Sequence, residues 1–210
     1  MLAGGTDLLA RLKSGDIEPD LVVDIKRIDT TQSIKRMASG FRIGASVPCV
    51  EIGRSAALKR AWPGVVEAAQ LIGSDQIQGR CTIAGNLCNA SPAADSVPAL
   101  IAAGAKASVV GTAGRRTVAV EKITTGPGKT SLGKDEIVES INLPKRPPRT
   151  GDAYLRFTPR TEMDIAVVGA GVCLTLNGKG EVSKARVVLG AVAPTAVIVA
   201  DAANAIIGSR

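Results

Sequence analysis

Residues 144–150 constrain the fold more than any other segment of this 210-residue sequence. The segment contains three prolines, and proline interrupts helices and central strands because its ring fixes φ and it has no N–H group to donate. The three basic residues of the segment favour exposure to solvent. The sequence therefore predicts a boundary here, between a domain at residues 1–146 and a smaller one at residues 150–210.

Both parts mix helical and extended patterns, which predicts an α+β fold. Helices are predicted from an N-cap at Thr6 to about residue 14, over residues 65–72, from about 95 to 103 and over residues 196–207. Strands are predicted over residues 21–25, 41–47, 107–110, 117–120, 137–143, 154–157, 165–176 and 186–189. The turn at residues 113–115 predicts a β-hairpin.

The composition excludes several classes of function. The sequence has no histidine, which excludes histidine general bases, Ser-His or Cys-His nucleophile pairs and histidine metal ligands. One Trp, one Tyr and two Phe are its only aromatic residues, which leaves few surfaces on which bases could stack. Its net charge of +7 is dispersed along the chain, so nucleic-acid binding is not expected.

The cysteines and apolar segments indicate the compartment. The four cysteines, at positions 49, 81, 88 and 173, lack the CxxC spacing of zinc sites, so we predict buried free thiols. No apolar run reaches the length of a membrane span, and no leader-like segment opens the sequence. We therefore expect a cytoplasmic protein without a membrane span.

Two glycine motifs resemble nucleotide-binding loops but depart from them. Residues 165–171 place Gly-Ala-Gly after an apolar run, yet Leu174 occupies the place of the third glycine and no helical pattern follows. Residues 126–130 end like a phosphate-binding loop, but Ile123 replaces its first glycine. We predict a sheet strand for the first motif and a turn for the second.

Two other segments have the composition of ligand-binding backbone. Gly4 and Gly5 precede a predicted helix start, where backbone amides can meet an anion, although such a pair is more often a tight connection. Residues 82–95 combine small residues with hydroxyl and side-chain amide groups that suit phosphates and sugar hydroxyls. A capped helix with Asp95 at its N-cap explains this second segment equally well. The residues alone leave these alternatives open.

Four sequence blocks can be compared with known families. They are residues 2–9 (LAGGTDLL), 82–95 (TIAGNLCNASPAAD), 125–130 (TGPGKT) and 164–168 (DIAVV). In this order along the chain, the blocks resemble the FAD-binding subunits of the molybdenum hydroxylases, the family of the xanthine dehydrogenase flavin domains and the carbon monoxide dehydrogenase medium subunits.

The resemblance implies the fold and the domains. Residues 1–146 would form an FAD-binding domain of the vanillyl-alcohol-oxidase-like superfamily (PCMH type), and residues 150–210 a small C-terminal domain of a β-sheet plus helix. The family's strand-helix unit before the first block would be missing, and the C-terminal domain would be incomplete. Apolar faces exposed in this way would favour weak folding or association.

The resemblance also implies which residues bind the cofactor. The first block would wrap the FAD diphosphate, with the amides of Gly4, Gly5 and Thr6 as donors, and the start of the second block would form a loop near the diphosphate and the ribityl chain. The implied FAD-binding residues of these blocks are Ala3, Gly4, Gly5, Thr6, Asp7, Leu8, Thr82, Ala84, Gly85, Asn86 and Asp95. Asp95 would bond the ribityl hydroxyls.

Four further positions have roles implied by the resemblance. Ile72 and Val138 would flank the adenine, Arg156 would lie near the flavin, and Ile165 would lie against the isoalloxazine ring. An ordinary surface or core position explains Arg156 and Ile165 as well. Ala84 stands where the family usually has glycine, so its methyl group should be tolerated only if that backbone has a negative φ.

By this resemblance the chain is an electron-transfer subunit of a heterotrimer or of its dimer. An iron–sulfur subunit with two-iron two-sulfur clusters and a subunit that binds the molybdenum cofactor through molybdopterin would be its partners. Electrons would pass from the clusters through FAD to an external acceptor. No catalytic acid or base and no metal ligand is expected in this chain. Two alternatives stay open: a self-contained flavin-dependent oxidoreductase and a truncated interaction module without FAD.

Overall fold

The computed structural model describes residues 1–161 and 163–210, and the helices within these ranges are short. The helices are α1 (Leu8–Lys13), α2 (Cys49–Arg54), α3 (Ala56–Ala61), α4 (Pro63–Gln70), α5 (Asp75–Gln78), α6 (Ile83–Asn89), α7 (Ser96–Ala102) and α8 (Ala200–Ile206). Turns of 3-10 helix lie at Ile25–Arg27, Asp29–Thr31 and Val120–Lys122. Such short helices depend on tertiary packing for their stability.

The strands form two larger antiparallel sheets and one small hairpin. The strands are β1 (Ile34–Met37), β2 (Gly40–Gly44), β3 (Lys106–Gly111), β4 (Gly114–Ala119), β5 (Thr124–Gly126), β6 (Lys129–Thr130), β7 (Ile137–Pro144), β8 (Thr150–Phe157), β9 (Val168–Leu176), β10 (Val182–Gly190) and β11 (Val197–Ile198). The first sheet has the order β1-β2-β7-β3-β4 and the second β11-β10-β9-β8, while β5 pairs with β6. The mixture of helix and sheet confirms the α+β prediction.

The first sheet has one apolar and one polar face. Ile43, Ile141 and Ala107 align across β2, β7 and β3 and are fully buried. The neighbouring register row carries Arg42 and Lys106 on the opposite face. This alternation follows from the two-residue period of a strand, and it fixes which face of the sheet meets the helices.

Helix α7 is buried, and the second sheet packs against it. Every residue of α7 is buried, as expected of a helix that is apolar on all sides. A Cβ atom on Gly171 of β9 would lie 2.5 Å from the carbonyl oxygen of Pro98, and one on Gly190 of β10 would lie 2.7 Å from the Pro98 ring. Glycine at these two positions therefore lets the second sheet approach α7 closely.

The proline-containing connector is anchored to the first part of the chain. Arg146 donates to the carbonyl oxygen of Ala61 at 2.6 Å and lies over the ring of Trp62. Trp62 Nε1 donates to the carbonyl oxygen of Pro144 at 3.1 Å. The Asp152 carboxylate accepts from the N–H of Val65 at 3.3 Å, at the start of α4. The two parts are thus joined by directional contacts as well as by apolar packing.

Most of the elements predicted from the sequence are confirmed. The helix predicted at residues 65–72 is α4, the helix from about 95 is α7, and the predicted hairpin is β3–β4. The apolar run with the Gly-Ala-Gly motif leads into β9, and residues 126–130 form the tight turn of β5–β6. Neither segment is a nucleotide-binding loop of the two types considered above.

Two local predictions are wrong, and the helix predicted over residues 196–207 begins later, at Ala200, after strand β11. Residues 21–25 do not form a strand: Leu2 and Asp24 make an isolated parallel bridge, a 3-10 turn follows, and Leu21 is 74% exposed. A single bridge does not make a strand, because a strand needs a neighbour that pairs with successive residues. The first helix begins at Leu8 with Asp7, and not Thr6, at its N-cap, and the Asp7 side chain makes no capping hydrogen bond.

Among the described residues, no helix combines the length and the apolar character that crossing a membrane requires.

Candidate functional site

A cavity of about 290 Å³ lies where the N-terminal segment meets α6. Its walls come from the segment before α1, from one side of α6, from the β5–β6 turn and from the segment that leads into β7. The lining residues are Met1, Ala3, Gly4, Gly5, Asp7, Leu8, Arg11, Ile25, Ala45, Ala84, Gly85, Cys88, Asn89, Gly128, Leu132, Glu136, Ile137 and Val138. Chain segments far apart in sequence therefore share this cavity.

At the cavity the Gly4-Gly5 segment contacts the backbone just before residue 82 and the helix α6 that follows. A Cβ atom on Gly4 would lie 2.2 Å from the carbonyl oxygen of Arg80, so only glycine permits this approach of backbone to backbone. Asn89 Nδ2 of α6 donates to Asp7 Oδ1 at 3.1 Å and joins the same two segments a second time. Gly5 has a φ of +83°, a left-handed conformation that favours glycine.

Backbone N–H groups at the cavity are available to a ligand. Within the described residues, the N–H groups of Ala3, Gly4, Gly5 and Thr6 donate to no protein acceptor. The Thr82 hydroxyl caps α6 by accepting from the N–H of Gly85 at 2.9 Å, whereas the N–H of Ala84 has no protein acceptor in the described chain. Buried amides normally have partners, so this arrangement suits an anionic ligand.

The opposite wall is apolar and carries one paired carboxylate. Leu132, Ile137 and Val138 supply the apolar surface. Glu136 accepts from Arg116 at 2.6 and 2.7 Å and from the N–H of Gly133 at 2.7 Å. The Arg116 hydrogen bond lowers the pKa of Glu136 to about 2, so this carboxylate is ionised and neutralised by its partner at pH 7.

The thiol that lines the cavity is not a nucleophile at neutral pH. Burial raises the pKa of Cys88 to about 11, so the thiolate is scarce. No group of three or more His, Cys, Asp or Glu side chains that could hold a metal ion occurs in the part of the chain that the structure describes.

A second cluster joins α7 to β8. Tyr154 donates its hydroxyl to Asp95 Oδ1 at 2.9 Å, and Arg156 Nη1 donates to Asp95 Oδ2 at 2.9 Å and to the carbonyl oxygen of Leu71 at 2.9 Å. The side chains of Asp95 and Arg156 are 11% and 14% exposed. Loss of hydration raises the pKa of Asp95, opposed by the Tyr154 hydrogen bond and the Arg156 charge. Burial and the Asp95 charge raise the pKa of Tyr154, which stays a hydrogen-bond donor.

The structure brings some of the sequence-predicted residues to the cavity and two to the cluster, and leaves others outside both. Those outside both are Thr6, Ile72, Thr82, Asn86 and Ile165. Those that line the cavity are Ala3, Gly4, Gly5, Asp7, Leu8, Ala84, Gly85 and Val138. Asp95 and Arg156 contact each other, and neither lines the cavity. Ile165 is 73% exposed. Ile72 packs against the core and is not a lining residue, so the pair expected to flank the adenine is divided.

The second block is a helix and not a loop at the expected binding positions. Ala84, Gly85 and Asn86 lie in the first turn of α6, and Thr82 is its N-cap. Asn86 Oδ1 accepts from the hydroxyl of Ser96 at 2.6 Å and from its N–H at 3.3 Å. Asp95 is the N-cap residue of α7 but makes no capping bond with its side chain. The capping role proposed for Asp95 therefore belongs to Asn86.

Several lining residues were missed from the sequence. They are Met1, Arg11, Ile25, Ala45, Cys88, Asn89, Gly128, Leu132, Glu136 and Ile137. A helical pattern would have indicated Cys88 and Asn89, because they lie one turn after Ala84 and Gly85 on the same side of α6. Gly128 reaches the cavity because its N–H donates to the carbonyl oxygen of Ala90 at 3.0 Å, a long-range contact with no local signal.

Comparisons with known proteins cover nearly all of the chain and agree with one another. Residues 1–146 match the family model of the FAD binding domain in molybdopterin dehydrogenase, and residues 153–210 match that of the CO dehydrogenase flavoprotein C-terminal domain. The xanthine dehydrogenase FAD-binding subunit of Escherichia coli O157:H7 is 32% identical, over 94% of this chain and 68% of its own length. The carbon monoxide dehydrogenase medium chain of Hydrogenophaga pseudoflava is 33% identical, over 94% and 68%. The solved structure of carbon monoxide dehydrogenase from Hydrogenophaga pseudoflava that lacks the Mo-pyranopterin moiety aligns with a TM-score of 0.91 at 33% identity, covering 100% of this chain and 72% of that chain.

Proposed function

The chain belongs to the FAD-binding subunits of the xanthine and carbon monoxide dehydrogenase type, and from that premise we propose that it transfers electrons through FAD within a molybdenum hydroxylase complex. Electrons would come from two-iron two-sulfur clusters of a partner subunit and leave to an external acceptor. The domain division at residues 1–146 and 150–210 is part of this proposal.

The main support for FAD binding is the close approach of two backbone segments at the cavity. The backbone at Gly4 packs directly on the backbone of Arg80 and Cys81, which brings the N-terminal segment and the first turn of α6 to one cavity. Both segments offer backbone N–H groups that have no acceptor among the described residues. Backbone donors from two directions suit a diphosphate, because its charge is spread over several oxygens.

The residues present fit FAD. The amides of Ala3, Gly4, Gly5, Thr6 and Ala84 would hold the diphosphate, and the apolar wall that contains Val138 would receive the adenine. By the resemblance, Asp95, Arg156 and Ile165 would serve the flavin half of the cofactor; none of them lines the cavity. Asp95 keeps acceptor capacity for the ribityl hydroxyls, because each carboxylate oxygen has two lone pairs.

The protein side chains supply binding and shielding and no proton transfer. When bound, FAD supplies the redox chemistry and can exchange one or two electrons. Glu136 stays ionised beside Arg116, and Cys88 stays a neutral thiol. Neither of these two groups is poised for acid–base catalysis near pH 7, which fits a relay subunit.

We propose an iron–sulfur subunit and a molybdopterin-binding subunit as partners, in a heterotrimer or its dimer. The names of the relatives support assembly, since one is a subunit and another a medium chain. All four cysteines are free thiols, and on this basis we place the complex in the cytoplasm.

Titration with FAD tests the cofactor assignment. We expect the purified chain to shift the flavin absorbance spectrum and to quench FAD fluorescence with one-to-one stoichiometry. FMN is the matched control, because it lacks the second phosphate and the adenosine, and we expect it to bind at least about tenfold more weakly. An unchanged FAD spectrum at saturating protein would refute the cofactor assignment.

Co-purification tests the partner assignment. The chain should be co-expressed with the products of the neighbouring reading frames and isolated through a tag on this chain. We expect iron, acid-labile sulfide and molybdenum to elute with it, and the bound flavin to become reduced when the substrate of the complex is added. A yellow protein that elutes alone and oxidises an organic donor unaided would favour the self-contained oxidoreductase.

A further inference from the structure

We propose that Lys26, assisted by Arg80, is a positioning residue that turns the peptide groups of the Gly4-Gly5 segment toward the diphosphate. This inference rests on the proposed function, because it assigns how that same cavity is prepared for its anion. Neither Lys26 nor Arg80 lines the cavity, so both act through the backbone.

Both cations donate to carbonyl oxygens of the segment. Lys26 Nζ donates to the carbonyl oxygen of Ala3 at 2.9 Å. Arg80 Nε donates to the carbonyl oxygen of Gly4 at 3.4 Å, a longer and weaker contact. Two consecutive carbonyl groups are thus held by two positive side chains from different parts of the chain.

Lys26 is itself held in place. Its ammonium forms an ion pair with Asp24 at 2.8 Å, and Asp24 also accepts from the N–H of Lys26 at 2.8 Å. The N–H of Leu2 donates to the carbonyl oxygen of Val23 at 2.8 Å, and the N–H of Ile25 donates to that of Leu2 at 3.0 Å. This bridge keeps Lys26 beside Ala3.

Because a peptide group is planar, holding its carbonyl oxygen also fixes the direction of its N–H group. In a trans peptide, the C=O of one residue and the N–H of the next point in opposite directions. Because Lys26 holds the carbonyl of Ala3, the N–H of Gly4 points away from Lys26; because Arg80 holds the carbonyl of Gly4, the N–H of Gly5 points away from Arg80. These N–H groups have no protein acceptor in the described residues, and Gly4 and Gly5 line the cavity.

A glycine pair needs such anchors. Glycine rotates about φ and ψ more freely than other residues, so an unanchored Gly4-Gly5 segment would sample orientations that present carbonyl oxygens to the ligand. A carbonyl oxygen repels phosphate oxygens, whereas an N–H group binds them. Arg80 also adds positive charge behind the segment, which strengthens the N–H dipoles toward an anion, whereas Asp24 offsets the charge of Lys26.

The experiment compares FAD and ADP binding by the unsubstituted chain, Lys26→Met, Lys26→Arg and the matched control Lys179→Met in an exposed turn. We expect Lys26→Met to raise the dissociation constants of FAD and ADP by about tenfold each, because the two ligands share the diphosphate. Lys26→Arg should restore binding to within about threefold, since arginine can also donate to a carbonyl. Lys179→Met should bind as the unsubstituted chain does.

The outcomes separate this inference from the proposed function. Thermal melts of each variant establish that the protein is folded at the temperature of the titration. FAD binding by Lys26→Met within about twofold of the unsubstituted chain, or a loss for FAD that ADP does not share, would overturn the positioning role while FAD binding stands. Failure of the unsubstituted chain to bind FAD would refute the proposed function and the positioning role together.

Discussion

The cavity at Gly4 and the cluster at Asp95 use opposite means to prepare for the same proposed cofactor. The cavity offers backbone N–H groups, and its one carboxylate on the apolar wall, Glu136, is neutralised by Arg116. The cluster consists of a buried ion pair and a tyrosine that come from α7 and β8. Backbone recognition depends on glycine and on close approach, whereas side-chain recognition depends on how the two parts of the chain dock.

The substitution Gly4→Val should cause the largest loss of FAD affinity, because it disrupts the contact between the Gly4 and Arg80 backbones. Gly4→Val places a side chain where a Cβ atom would lie 2.2 Å from the Arg80 carbonyl oxygen, so the two segments must separate. We expect FAD affinity to fall by about a hundredfold or more, equivalent to about 3 kcal/mol. Fluorescence titration measures the loss. Gly178→Val is the matched control, because a Cβ atom there meets nothing within 4 Å; equal affinities for the two variants would contradict the close approach.

The substitution Asp95→Ala should cause the next largest loss, because it removes the carboxylate at the centre of the side-chain cluster. Asp95→Ala leaves Arg156 without its partner, and we expect a loss of about 3 kcal/mol in the free energy of unfolding. FAD binding should weaken by about 1–3 kcal/mol through lost hydrogen bonds. Denaturant unfolding and FAD titration measure the two losses. Glu51→Ala, which removes the exposed pair with Arg54, should cost less than about 1 kcal/mol; a similar cost for both variants would show that the Asp95 cluster is not special.

Asp95 and Glu136 should contribute to stability in different pH ranges. The pKa of Asp95 is raised above its ordinary 3.8 by burial, so its contribution to stability is complete below that value and is lost as pH rises through the folded-state pKa. The pKa of Glu136 is lowered from 4.5 to about 2 by Arg116, so its contribution is present above 4.5 and is lost as pH falls toward about 2. The two regions should therefore respond to pH with opposite signs.

Isosteric variants measure the two responses. The free energy of unfolding of the unsubstituted chain minus that of Asp95→Asn should decrease as pH rises from about 3 to about 7. The same difference for Glu136→Gln should decrease as pH falls from about 5 to about 2. Urea unfolding at a series of pH values gives both slopes. Slopes of the same sign would contradict the assignment of one carboxylate as destabilised by burial and the other as stabilised by its partner.

The smallest effect concerns the methyl group of Ala84. Ala84 lies in the first turn of α6 and is not among the residues with positive φ, which is the condition under which alanine is tolerated there. We expect Ala84→Gly to cost about 0.5–1 kcal/mol of stability and to leave the FAD dissociation constant within about twofold. Thermal melts and titration measure both values. A large gain in FAD affinity would show that the methyl group obstructs the cofactor.

The sequence indicated the backbone region better than the side-chain region, for a physical reason. Gly4 and Gly5 are adjacent, and their need for close approach and left-handed backbone can be inferred from residue type alone. The meeting of Asp95 with Tyr154 and Arg156 depends on the docking of β8 against α7, which no local pattern encodes. The helical nature of α6 was also missed, because a seven-residue helix with glycine and two asparagines has weak propensity and relies on the Thr82 cap.

The prediction at residues 21–25 failed in an instructive way. Residues 21–23 have strand-forming composition, but composition provides no partner, and within the described part of the chain only Leu2 pairs with the segment. The sequence correctly separated residues 126–130 and 165–171 from nucleotide-binding loops, because a missing glycine and a missing helical pattern can be read from the local sequence.

The glycines that face Pro98 set a condition on recombination between relatives. A hybrid that joins the first part of this chain to the second part of a relative will seat its sheet on α7 only if that relative also presents glycine opposite Pro98 on both strands. A side chain at either position would hold the transferred sheet away from α7 and would separate Tyr154 and Arg156 from Asp95. The two halves can therefore be interchanged only where both positions, Gly171 and Gly190 in this chain, lack a side chain.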